Sequence, residues 1–132
     1  MKKEHTEIIK HIVTYLEENP TQRFGQALFN LGINEFKKNE SEFELRDIYN
    51  DADNEIIKRI NNNLNWFKFQ EKVNNQIEIH KEKLSGMTVN EKLYVTELMS
   101  DFDYYRIKNK KYSEFILVRL NVDYKSIEQI LK

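Results

Sequence analysis

The sequence contains no cysteine. Disulfide staples, thiolate nucleophiles and zinc–thiolate sites are therefore excluded. Glycine and proline are scarce: Gly25, Gly32, Gly86 and Pro20 are the whole complement in 132 residues. β-Sandwiches and barrels turn often and use these residues to do so, so the shortage argues against an all-β fold. Apolar runs are short, as in Phe115-Ile116-Leu117-Val118. A membrane-spanning helix needs about 20 such residues, and no membrane partner is expected. Met1–His5 leads into a charged amphipathic stretch without the apolar core and cleavage site of a signal peptide. The expected location is the cytoplasm. Neither charge sign dominates, with 21 Lys/Arg against 22 Asp/Glu.

What remains is a chain of single-domain size, 33% charged and 39% hydrophobic, with one modest core. Its apolar residues recur at three and four, the helical period. Residues 3–18 form the first expected helix, with Ile8, Ile12 and Tyr15 or Leu16 on its apolar face and Ile9 and Val13 beside them. It should stop before Pro20, because the residue before proline avoids the α region. Asn19-Pro20-Thr21-Gln22 then reads as a helix start, with Asn as cap and Pro at the first helical position. The second helix carries Phe24, Ala27, Leu28 and Leu31 on one stripe. Gly32 ends it in a left-handed cap with Ile33 folding back, or the helix runs on to Phe36.

Residues 37–47 are polar and unpatterned and read as a loop. Asp51 or Asp53 would cap a third helix, on which Ile57, Ile60, Leu64 and Phe67, then Phe69, Val73 and Ile77, form a shifted stripe as far as Leu84. Asn61-Asn62-Asn63-Leu64-Asn65 is poor helix material, and a kink or break is expected there. Ser85-Gly86 is the clearest break. Thr88-Val89-Asn90-Glu91 is a capping box opening a helix with Val95, Leu98, Phe102 and Tyr105 on one face. Helices over residues 113–120 and 124–131, the latter capped by Asp123, complete the chain. The expected fold is all-α, a bundle of five to six helices in a single domain, 1–132. It is compatible with subdomains 1–61 and 86–132 joined by a connecting helix, 54–84.

Signatures of chemistry are weak. G-x-S-x-G and H-E-x-x-H are absent, so neither catalytic residues nor a cofactor is assigned. His5 and His11 lie six apart and point in different directions on a helix, unlike an i, i+4 metal pair. Asp51, Asp53 and Glu55 have the spacing of a calcium loop's first ligands. The glycine and glutamate that such a loop requires next are replaced by Ile56 and Asn62, and no metal is assigned. Gly25 costs helix stability, and close packing against another helix is the expected reason for it. Trp66, Phe67 and Phe69 interleaved with Lys68 and Lys72, together with the run Arg106–Lys111, could stack on bases and neutralise phosphates. The alternative is core aromatics beside a helix end whose dipole favours cations.

The strongest local asymmetry is acidic. Residues 35–55 hold eight Asp/Glu against three Lys/Arg, enough to steer a basic partner. The halves differ as well: residues 1–61 hold 9 Lys/Arg and 12 Asp/Glu, and residues 62–132 hold 12 and 10.

Two stretches carry a resemblance. Asn19–Leu31, with its R-F-G-Q core, followed by Leu45-Arg46-Asp47-Ile48-Tyr49-Asn50-Asp51, resembles small bacterial helical proteins with an R-[FIL]-G-Q helix and an acidic segment. Met87–Leu93, an N-E-[RK]-L opening, with Leu98-Met99-Ser100-Asp101-Phe102-Asp103, resembles C-terminal modules of toxin-immunity proteins. Lys92 stands where Arg is the more frequent residue of that opening. Together the stretches cover about half the chain. The resemblance implies a bacterial protein; together with the small size, the lack of a catalytic signature and the acidic segment from Glu35 to Glu55, it leads to the expectation of a non-catalytic immunity protein that neutralises a toxin by binding it. Basic nucleases are common among such toxins, and an acidic surface would match them. The candidate partner-binding residues are Glu40, Glu42, Glu44, Asp47, Asp51 and Asp53, with Tyr49 as an aromatic anchor. A small nucleic-acid-binding regulator is the second reading, and a helical enzyme or metal-binding module the third.

Overall fold

The computed structural model describes residues 1–38 and 43–132. The elements among them are helical: α1 Lys3–Glu18, α2 Phe24–Asn30, α3 Asp53–His80, α4 Val89–Val95, α5 Met99–Lys108, α6 Lys110–Arg119 and α7 Tyr124–Ile130, with a short 3-10 turn at Lys81–Lys83. The all-α class is as expected, with seven helices among the described residues instead of five or six. No helix among them is long and apolar enough to cross a membrane. The chain divides into two compact units, Met1–Asn65 and Trp66–Lys132, with α3 contributing residues to both.

In the first unit, α1 has the expected bounds and packs Ile8, Ile12 and Tyr15 against a core of Leu31, Ile33 and Ile60. Burying a side chain such as Leu31 or Ile60 contributes about 1.5–3 kcal/mol. Asn19 does not open α2. It closes α1, its backbone N–H donating to Tyr15 O at 2.9 Å, and α2 starts four residues beyond Pro20, at Phe24. The Arg23 N–H there finds its acceptor in Gln26 Oε1 at 3.0 Å. The left-handed cap appears at Gly32, with φ of +83°. Gly32 N–H donates to Phe29 O and Ile33 N–H to Leu28 O, both at 3.0 Å, so two carbonyls that the helix end would orphan are satisfied. Phe24 departs from its expected stripe and is 60% exposed. Gly25 has no close-packing role, since a Cβ there would meet nothing within 4 Å.

The expected loop over 37–47 is anchored by a short antiparallel contact. Phe36 pairs with Leu45. Lys37 N–H donates to Glu44 O at 2.7 Å and Arg46 N–H to Glu35 O at 2.8 Å. The Asn-rich stretch of α3 stays helical. Asn63 Nδ2 donates to Asn30 O at 3.0 Å, and Ile60 and Leu64 on the same face belong to the first unit's core. Tertiary contacts there override weak propensity.

The second unit's core holds Phe69, Val73, Leu93, Leu98, Phe102, Ile116, Leu117, Leu120 and Ile127. Thr88 caps α4 as expected, accepting from Glu91 N–H at 3.2 Å. The helix expected to continue through Tyr105 breaks after Val95, because Glu97 takes φ of +61°. Leu98 N–H then donates to Leu93 O at 3.0 Å, a glycine-type helix ending built on glutamate. Asn121, with φ of +60°, ends α6 in the same way, Val122 N–H donating to Leu117 O at 3.1 Å. The side chains of Asn109 and Asp123 cap α6 and α7. The Asp123 carboxyl sits below its ordinary pKa because it accepts bonds from Ser126.

Candidate functional site

The acidic segment is built around two arginines. Arg46, between the Phe36–Leu45 pair and Asp47, bonds Asp51 in bidentate fashion, with Nη1 to Oδ1 at 2.9 Å. Its Nε bonds Glu35 Oε1 at 2.8 Å. Arg59, on α3, reaches the same Asp51 carboxylate at 2.9 Å. It also donates to Gly32 O at 2.8 Å and Ile33 O at 3.1 Å. One guanidinium thereby ties α2's C-terminus and the segment before α3 to α3 itself. Asp51 is 9% exposed at its side chain. The bonds from Arg46, then those from Arg59, hold its carboxyl down to about pKa 2. The bonds to Asp51 and Glu35 push Arg46 the other way, above its ordinary value.

The remaining candidates divide sharply. Glu44 pairs with Lys37 at 3.1 Å. Asp53, in the first turn of α3, lies 3.0 Å from His5 Nε2. The Asp51 carboxylate, expected as a cap for α3, serves the arginine pair. Asp47 is exposed, and its Oδ1 accepts the Tyr49 N–H at 2.9 Å. That local turn presents the Tyr49 side chain outward, 88% exposed. Glu40 and Glu42 lie outside the described residues. Glu35 and Asp51 are thus internal scaffold, while Glu44, Asp47 and Glu55 are the exposed acids among the described residues of the segment.

What the sequence reading missed is apolar. Phe29 and Phe36 lie with ring centroids 4.6 Å apart. Phe36 and Phe43 are 5.5 Å apart, edge to face. Leu45 stands opposite Phe36. All four are exposed, Phe43 to 88%. Contiguous exposed aromatics with acidic neighbours are the composition of a docking surface. A signal for it was present: Glu35-Phe36-Lys37 and Glu44-Leu45-Arg46 are charge-complementary when aligned antiparallel.

Several of the candidate nucleic-acid residues, all in the second unit, are engaged. Trp66 packs against Tyr112 at 4.9 Å and Phe115 at 5.3 Å, and Lys111 Nζ sits 4.1 Å over its ring. Burial among these rings pushes the Tyr112 hydroxyl above its ordinary pKa. Lys72 pairs with Asp101 at 2.6 Å. Arg106 donates to Ile130 O at 3.3 Å. Phe67 leaves the core stripe and is exposed, while Phe69 keeps it. Among the described residues no cluster of three His, Asp or Glu side chains could hold a metal ion. Comparison with known protein families, characterised proteins and solved structures finds no match to this chain.

Proposed function

We propose that this chain is a non-catalytic protein-binding module, and that it acts as a cytoplasmic bacterial immunity protein neutralising a basic toxin domain. The observation that carries the binding role is the exposed aromatic run Phe29–Phe36–Phe43, bordered by Glu44 and Asp47. Phe43 and Tyr49 are the anchors, because a large exposed aromatic side chain gains most from burial in a partner's pocket. Glu44 and Asp47, with Glu40 and Glu42 in the same segment, orient an incoming basic surface. Asp51 and Glu35 hold Arg46 and Arg59 and so fix the backbone on either side of Tyr49 before binding. Fixing that backbone in advance lowers the entropy lost on association. The toxin-immunity element of this reading is supported by the two sequence resemblances.

The test is purification of the tagged protein from its host at moderate salt, with identification of what accompanies it. The expected result is one stoichiometric basic protein, toxic when expressed alone and harmless when co-expressed with this chain. Recovery of nucleic acid, or of this chain alone, would overturn the proposal.

A further inference from the structure

The second unit contains a pocket of about 450 Å3, within the usual size of a small-molecule site. It lies where the C-terminal end of α3, the 3-10 turn, α4 and the end of α6 meet. Its walls are unequal in charge. Lys81, Lys92 and Arg119 line it against a single acid, Glu78, while Leu84 and Leu120 supply apolar surface. Two of the cations are held in place. Lys92 Nζ donates to Leu120 O at 3.0 Å, and Arg119 Nε donates to Asn74 Oδ1 at 2.8 Å. Among the described residues these are the single hydrogen bonds that either cationic group makes. An ammonium has three donors and a guanidinium five, so most of their N–H groups remain free for a ligand.

We propose that this pocket binds a small organic anion, its phosphate or carboxylate end on Arg119, Lys92 and Lys81 and its apolar body against Leu84 and Leu120. A bare inorganic anion would use the cations and leave the apolar wall wet. A neutral apolar molecule would leave three cations facing it unpaired. The organic anion satisfies both surfaces. Arg119 suits a planar or tetrahedral oxyanion because its guanidinium offers paired donors. Glu78 opposes the ligand and limits its affinity. The pocket shares no residue with the proposed protein-binding surface: its lining comes from residues 77–121 and that surface from residues 29–49.

The experiment is an amide NMR titration of the full chain with phenyl phosphate, benzoate, phenol and inorganic phosphate. Phenyl phosphate or benzoate should move the resonances of residues 77–85 and 119–121 saturably, and whichever binds tighter identifies the charged end. Phenol and inorganic phosphate should each bind at least about fivefold more weakly than the better anion, the loss expected for one screened charge interaction or a comparable apolar contact. Arg119→Gln and Lys81→Gln, both at exposed positions, should each weaken the better anion about fivefold. Glu78→Gln should tighten it. Unchanged circular dichroism separates these effects from unfolding. No saturable shift at these residues up to about 10 mM ligand, phenol binding as well as the anions, or undiminished affinity in Arg119→Gln would each overturn the proposal.

Discussion

Gly25 and Gly32 lie seven residues apart in and just after α2, yet alanine should act on them with opposite sign. At Gly32 the backbone has φ of +83°, a region that costs an L-residue about 1–2 kcal/mol. A Cβ there would sit 2.7 Å from Asn63 Nδ2 and 3.3 Å from Arg59 O. Asn63 must then withdraw from Asn30 O, which forfeits a hydrogen bond worth about 1 kcal/mol. Reduced freedom of the unfolded chain returns about 0.4–1 kcal/mol. Gly32→Ala should therefore destabilise by about 2 kcal/mol. At Gly25 the backbone is helical and the Cβ position is empty. Gly25→Ala should stabilise by about 0.5–1 kcal/mol. Urea unfolding followed by far-UV circular dichroism measures both, with an unchanged slope confirming that the unfolded states are comparable. A Gly32→Ala protein as stable as the parent would refute the cap, and a destabilised Gly25→Ala would refute the open environment.

Three further outcomes follow from the geometry. Glu97→Gly should stabilise by about 1 kcal/mol, because glycine occupies the left-handed region without the Cβ penalty; a loss of thermal stability would show that the Glu97 side chain matters more than its backbone. Asp51 titrates near 2 in the folded chain and at the ordinary 3.8 once exposed. Its contribution is complete above about pH 4 and is lost as pH falls toward 2. Asp51→Asn should flatten the stability profile over that interval, and a profile of undiminished slope would contradict the arginine clamp. Reversing Glu40, Glu44 and Asp47 to Lys should slow association with the captured partner and reduce its salt dependence; unchanged association kinetics would remove these acids from the interface.

Local chemistry was legible in the sequence, and tertiary chemistry was not. The bounds of α1, the glycine cap at Gly32, the Thr88 box and the Asp123 cap each depend on residues within five positions of one another, and sequence spacing displays them. The break between α4 and α5 was hidden because Glu97 is not a residue type associated with positive φ. The α2 start was misplaced because Asn19-Pro20 carries the residue types of a helix opening, while Asn19 in fact bonds backward to Tyr15. The Asn-rich stretch of α3 keeps its helix through a bond from Asn63 to a residue 33 positions away. At the candidate site, the acidic excess was visible, but its division into scaffold and surface was not. That division depends on Arg46, which holds Glu35 and Asp51, and on Arg59, which sequence spacing gave no reason to connect with Asp51 or Gly32. The aromatic run stayed hidden for a related reason. Phe29, Phe36 and Phe43 belong to no helical stripe, and they meet only when Phe36 and Leu45 pair.

The binding role of the first unit is tested most directly by the affinity of the captured partner for Phe43→Ala/Tyr49→Ala, measured by surface plasmon resonance beside the parent protein. Removing two aromatic anchors should cost more than about 1 kcal/mol each, a combined loss of at least about thirtyfold, while circular dichroism and the urea midpoint stay at parental values because both side chains are solvent-facing. Parental affinity in the double variant would contradict the account and place the partner on a different surface.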